Sequence, residues 1–124
     1  MNVVDSCGWL EYFADGRNAD FFAPAIEDEP QLIVPSICLL EVCKRLLLAR
    51  TEHEAITAMA AMERGRVIAL DDRIALLAAR LGIEHGLPLA DSVVLATARA
   101  YDAEVWTQDA DFEGLAGVRY IKAR

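Results

Sequence analysis

Positive charge is scarce in this chain. Lys and Arg number 12 against 20 Asp and Glu, for a net charge of −8 and a pI near 4.6. Holding nucleic acid by broad electrostatics needs a basic surface, so that class of binder is disfavoured. An acidic chain can still act on nucleic acid where divalent cations neutralise its site, and a basic protein partner also suits this balance. Histidine is rarer still: His53 and His85 stand alone, with no H-E-x-x-H pattern or Cys/His cluster, which argues against zinc. Cys7, Cys38 and Cys43 are odd in number and form no C-x-x-C pair, so they read as small buried hydrophobes in a reducing compartment. Charges or prolines interrupt every apolar run well short of the roughly 18 residues of a membrane span. The opening MNVVDSCGW has no basic region ahead of an apolar one, so no signal peptide is expected and the predicted location is the cytoplasm. No repeat, linker or low-complexity tract divides the chain. Its 124 residues, 55% hydrophobic, are expected to form one domain spanning 1–124 with a substantial core.

Along the chain, short apolar runs alternate with helical periodicity. Asn2–Val4 reads as a first strand ending at Asp5, with Ser6 capping a helix whose Trp9, Leu10 and Phe13 share a face. A second helix is expected near Asn18–Glu27. Of the chain's two Trp, three Tyr and four Phe, the residues Trp9, Tyr12, Phe13, Phe21 and Phe22 fall in this one early stretch. They are core material first and a candidate binding surface second. Gln31–Val34 is a second strand stopped by Pro35, and Ser36 is expected to cap an apolar helix reaching about Ala49. A helix over Thr51–Arg64, a strand over Arg66–Leu70 and a helix beginning at Asp71-Asp72 follow. Then come a helix from about Leu89 to Tyr101, a strand at Glu104–Thr107, a helical turn near Phe112–Leu115 and a last strand at Val118–Ile121. Strands separated by helix pairs predict a three-layer α/β domain with a mostly parallel sheet.

Such sheets carry their sites outside the carboxyl ends of strands, where the strand order reverses. If three strands wind one way and two the other, that point lies between the first and fourth strands. Asp5 ends one and Asp109 follows the other. Asp91 falls on the apolar stripe of its helix, with Leu87, Val94, Leu95, Ala98 and Tyr101. A carboxylate there either caps the helix or belongs to a site, and spacing leaves both open. Glu41 has Lys44 and Arg45 three and four residues on, so taken alone it reads as ion-paired on a solvated face. Asp71 and Asp72 follow an edge strand and read as helix caps. Clustered carboxylates repel, roughly 3 kcal/mol per pair at about 5 Å and an effective dielectric near 20. A hard cation relieves this, and an all-oxygen donor set suits Mg²⁺ or Mn²⁺. Such a site supports phosphodiester hydrolysis by a metal-activated water.

In this order and spacing, VVDSCGWLEYF, PSICLLEVCKRL, LPLADSVVLATA and VWTQDADF resemble the PIN-domain ribonucleases, most closely the VapC-type toxins of toxin–antitoxin pairs. The resemblance covers nearly the whole chain. It implies a five-stranded sheet of order 3-2-1-4-5 and a metal-holding catalytic set of Asp5, Glu41, Asp91 and Asp109; for Glu41 it outweighs the reading from spacing. Ser6 and Thr107 match positions that orient the acids or the metal's waters, and Asp111 matches a more variable second acid. The resemblance further implies an endoribonuclease, a homodimer, and inhibition by a cognate antitoxin through which alone DNA would be contacted.

Two surfaces are expected from the residues. Lys44, Arg45 and Arg99 would line one rim of the pocket for RNA, and Trp9, Phe13, Phe21 and Phe22 would receive an apolar helix of the antitoxin. The competing expectation is a catalytically silent PIN-like binding or scaffold module, against which stands the clustered repulsion that a binding module has no use for. A phosphatase with Asp5 as nucleophile would carry D-x-D after the first strand, and the chain reads Asp5-Ser6-Cys7.

Overall fold

The computed structural model describes all of residues 1–124. Five short strands, β1 (Asn2–Val4), β2 (Leu32–Pro35), β3 (Arg66–Ile68), β4 (Glu104–Thr107) and β5 (Val118–Tyr120), pair in the order β3-β2-β1-β4-β5. Every pairing is parallel, with Val3 opposite Ile33 on one side and Val105 on the other. Six helices flank the sheet: α1 (Ser6–Phe13), α2 (Ala19–Glu27), α3 (Ser36–Ala49), α4 (Glu52–Met62), α5 (Asp72–His85) and α6 (Leu89–Ala100). A 3-10 turn at Ala110–Phe112 stands where a helical turn over 112–115 was expected. The first two crossovers step outward from β1 and the third steps back to β4. For crossovers of one hand, this puts α5 and α6 on the opposite face from the other helices. The predicted three-layer architecture and strand order are what the chain adopts.

The central strands read as unbroken apolar runs because helices cover both faces. All of β2 is buried, and Val3, Val4 and Val105 are fully enclosed. Opposite them, α6 is buried on nearly every side from Ser92 to Ala98, making it the central helix of its layer. On the other face α1 lies close enough to its neighbours that a Cβ on Gly8 would come within 2.6 Å of the Phe22 ring and 2.7 Å of Val4. Only glycine permits that approach.

Two caps differ from expectation. Asp5, not Ser6, is the N-cap of α1, its carboxylate accepting the Ser6 N–H. Ser36 is the first residue of α3 behind Pro35, and its hydroxyl accepts the Leu70 N–H at 3.2 Å, tying down the chain after β3. Both serines are first helical residues: Asp5 stands between β1 and Ser6 as the cap, whereas β2 runs into α3 at Pro35-Ser36 with no residue between. Asp71 does cap α5, accepting from the Ile74 N–H at 2.9 Å, and Asp72 accepts the Arg73 N–H at 3.0 Å.

The expected aromatic surface does not exist as one face. Trp9 and Phe22 are 1% and 0% exposed, so no partner reaches either without unfolding the core. Phe21 leans on Trp106 with ring centroids 5.3 Å apart, whereas Phe13 stacks on Trp9 at 5.6 Å. The core has claimed Trp9, Phe22 and Phe112.

Candidate metal centre

β1 and β4 are neighbours and both end at the same edge of the sheet, which brings Asp5 and the residues after Thr107 together. Asp5 is 2% exposed and held from three directions. Its Oδ1 accepts the Ser6 N–H at 2.7 Å, and its Oδ2 accepts the Thr107 hydroxyl at 3.1 Å and the Cys7 thiol at 3.4 Å. Thr107, fully buried at the end of β4, also accepts the Asp109 N–H at 2.9 Å. Asp109 Oδ1 in turn accepts the Asp111 N–H at 2.9 Å, capping the 3-10 turn. The acid-rich loop is thus a chain of side-chain-to-backbone bonds leading back to Asp5.

Asp91 arrives from the opposite layer. Pro88 is the N-cap of α6 and Leu89 its first residue, so Asp91 sits inside the first turn and the capping alternative is excluded. The helix instead presents Asp91 to the pocket with the favourable, positive end of its dipole behind it. One carboxylate oxygen from each of Asp5, Asp91 and Asp109 lies within 4.8 Å of the others. Glu41, in the second turn of α3, approaches Asp5 from another side. Oxygens of these two acids and the Cys38 sulfur form a second group within 4.8 Å, which Asp5 shares with the first. Glu41 makes no ion pair with Lys44 or Arg45; the ion pairs of the chain are Glu84–His85 and Glu104–Arg119.

The electrostatic consequence falls on the acids. Burial, then the charges of Asp5, Asp109 and Asp111, pushes the Asp91 carboxyl up to about 8. Asp5 is raised chiefly by burial, although its hydrogen-bond donors pull the other way. Glu41 is raised by burial and then by Asp5 and Asp109, and the facing Ser6 hydroxyl offsets part of this. Burial pushes the Cys7 thiol up to about 12, so it stays protonated and serves as a donor. No ion pair relieves these acids. A pocket of convergent, half-buried carboxylate oxygens with no internal counter-charge fits a hard divalent cation. Cys38 is wholly buried, and burial holds its thiol well above the usual range in the metal-free chain.

The remaining predicted residues divide. Ser6, Lys44 and Arg45 line a groove beside Glu41, together with Cys7, Leu40 and Leu48. Arg99 does not join them. It lies in the last turn of α6, about 12 Å along the helix axis from Asp91 at 1.5 Å per residue. There it donates to the Ala116 carbonyl at 3.1 Å, bracing the loop before β5. A helix returning across a parallel sheet carries its far end to the opposite edge, which spacing along the sequence conceals. Cys7, in contrast, does more than the packing its sequence context suggests. It contacts both Asp5 and Thr107, and the clue was its place in the first turn of the helix that Asp5 caps.

A doubly wound parallel sheet with acids gathered at the carboxyl ends of its central strands defines a class of α/β site proteins. Within that class, the PIN domain pattern matches residues 3–118, and the chain belongs to the PIN domain family. No curated protein matches it at the level of sequence. Among solved structures, it is similar to a chain of a toxin–antitoxin complex from Klebsiella pneumoniae. That chain has 26% identity and a TM-score of 0.81, with 96% of each chain covered. It also resembles VapC20 of Mycobacterium tuberculosis, a sarcin-ricin loop cleaving toxin, with 19% identity and a TM-score of 0.77, covering 96% of this chain and 99% of that one. A third relative in fold, from the DNA-bound VapBC of Salmonella typhimurium, shows 14% identity and a TM-score of 0.76 over 98% and 97% of the two chains.

Proposed function

We propose that this chain is a Mg²⁺- or Mn²⁺-dependent endoribonuclease, the toxin of a toxin–antitoxin pair. The observation that carries the reading is the convergence of Asp5, Asp91 and Asp109 within 4.8 Å at the sheet's switch point. Asp5, Asp91 and Asp109 would hold the cation, with Glu41 on its flank. When bound, the ion would supply Lewis acidity at the scissile phosphate and lower the pKa of water, so that losing a proton yields a hydroxide nucleophile near neutral pH.

The chain's own groups do the rest. The Ser6 N–H, Thr107 and Cys7 fix the Asp5 carboxylate, so it needs little reorganisation when charge changes nearby. Glu41, half-buried and raised by burial, would take a proton from water at the pocket mouth. Lys44 and Arg45 border the groove beside it and offer the local positive charge that RNA phosphates need on a protein of net charge −8. Asp111, exposed at the loop, orients Asp109 through its N–H. The test is RNA cleavage by purified protein with Mn²⁺, with EDTA, and with Asp5→Asn. No Mn²⁺-dependent cleavage by the wild type, or cleavage that Asp5→Asn retains in full, overturns the metal-nuclease reading in favour of a silent binding module.

The neighbouring toxin–antitoxin structures support a protein partner. With Trp9 and Phe22 buried, the surface that suits an apolar segment is a groove of about 680 Å³ between α1, α3 and α4. Leu10, Phe13, Leu46 and Ala61 line it, and Arg45 and Arg50 edge it. The antitoxin would lay its helix here. Thr57→Arg fills the groove from an exposed position and should abolish co-purification with the cognate antitoxin; retained binding would move the interface elsewhere. A homodimer completes the proposal, supported by Ile83 and Leu89, which are 87% and 83% exposed in the single chain. No helix is long and apolar enough to cross a membrane, and a cytoplasmic location is part of the same reading.

A further inference from the structure

We propose that Cys7 is a positioning residue for the metal centre, setting the orientation of Asp5 through its thiol hydrogen. This inference rests on the metal-site reading above. A carboxylate has about four lone-pair sites, and one that ligates a metal must keep a fixed sector free for it. In Asp5, the Ser6 N–H takes a site on Oδ1, and the Thr107 hydroxyl at 3.1 Å takes one on Oδ2. The Thr107 hydroxyl has a single hydrogen, and its oxygen already accepts the Asp109 N–H at 2.9 Å. With that acceptor site taken, the single Thr107 hydrogen is left for Asp5 Oδ2, so each carboxylate oxygen has one oxygen- or nitrogen-bound donor.

Cys7 adds a third restraint, on the same oxygen as Thr107. Its sulfur lies 3.4 Å from Asp5 Oδ2 and 3.4 Å from Thr107 Oγ1, closing a three-membered ring of contacts between α1, the end of β1 and the end of β4. Whether its hydrogen points to the carboxylate or to the hydroxyl, it favours the same arrangement. In the second case Thr107 is left to donate to Asp5. So held, an Asp5 oxygen stands within 4.8 Å of oxygens of Asp91 and Asp109. The sulfur is also not a plug in the hydrophobic interior: Cys7 is half-buried and borders the groove that holds Ser6 and Glu41. A side chain there for volume alone would need no partner on either strand end.

The test compares wild type, Cys7→Ala, the space-filling Cys7→Val and Cys7→Ser by calorimetric titration with Mn²⁺, each first shown to melt cooperatively without metal. Deleting an outer hydrogen bond to a metal ligand typically weakens binding by about 10- to 100-fold, and a thiol donor belongs at the lower end. Cys7→Ala and Cys7→Val are therefore expected to bind Mn²⁺ about tenfold more weakly. Cys7→Ser, which restores a donor, should recover most of that loss. If the donor-free variants bind as wild type does, or if serine is no better than alanine, the inference is overturned while the metal site stands. A wild type that binds no Mn²⁺ overturns the site reading and this inference together.

Discussion

Acids follow strand ends at the edge of this sheet and at its centre, and they do different things. After β3, at the sheet's edge, Asp71 accepts the Ile74 N–H and Asp72 the Arg73 N–H, so both carboxylates serve the start of α5. After β1, in the middle, Asp5 also caps its helix, yet the same carboxylate meets Asp91 and Asp109 within 4.8 Å. Capping chemistry is common to both places. What separates them is topology, because only the point of reversal brings a second strand end and a helix from the opposite layer against the first. An acid after a strand is therefore a cap by default and a site only by company.

The contrast can be broken most severely at the centre. Asp5→Asn and Asp109→Asn should each lower RNA cleavage on the order of a thousandfold, whereas Asp71→Asn should leave the rate unchanged, as read from fragment yields at a fixed time. Equal losses at both strand ends would erase the distinction. Packing gives the next effect. Gly8→Ala drives a methyl into Phe22 and Val4 beneath the Asp5 turn, and should cost about 1–3 kcal/mol of stability by urea unfolding.

Asp71→Ala should cost about 1 kcal/mol through its lost cap, again with cleavage intact.

The pH response sharpens the comparison further. Carboxyls raised in the folded state favour folding when protonated. Stability from Asp91 is thus fully present below its unfolded value of 3.8 and is lost as pH rises through about 8. The metal-free melting temperature should fall across that window, and Mn²⁺ should offset the fall by binding the ionised acids. Asp91→Asn should flatten the dependence and melt a few degrees higher without metal at pH 8, while cleaving no RNA. A metal-free protein whose melting temperature rises between pH 5 and 8 would show that these acids do not crowd one another.

Much of this was legible in the residues. The run Asn2–Val4 before Asp5, and Glu104–Thr107 before Asp109, announce strand ends carrying acids, and helix pairs between apolar runs announce a parallel sheet. Asp91 was ambiguous because a cap and an inward acid share the same local pattern. The structure separates them by starting α6 at Leu89. Glu41 was illegible by spacing, since Lys44 and Arg45 offer ion pairs that the folded chain does not make. The surface readings fared worst. Trp9 and Phe22 were enclosed by the core, and Arg99 went to the far end of its helix, because exposure depends on which elements cover a residue rather than on its neighbours in the chain.

By itself, then, the amino-acid order determined the alternation of strands and helices, the turn at each strand end and the identity of the available acids. These depend on periodicity and on contacts a few residues apart. Only the tertiary structure decided which acids share a pocket, that Cys7 and Thr107 close around Asp5 from opposite ends of the chain, and which aromatics remain for a partner. The reason is physical: Coulomb repulsion, burial and hydrogen-bond geometry act over a few ångströms in space, and positions a hundred residues apart become neighbours only when parallel strands are laid side by side.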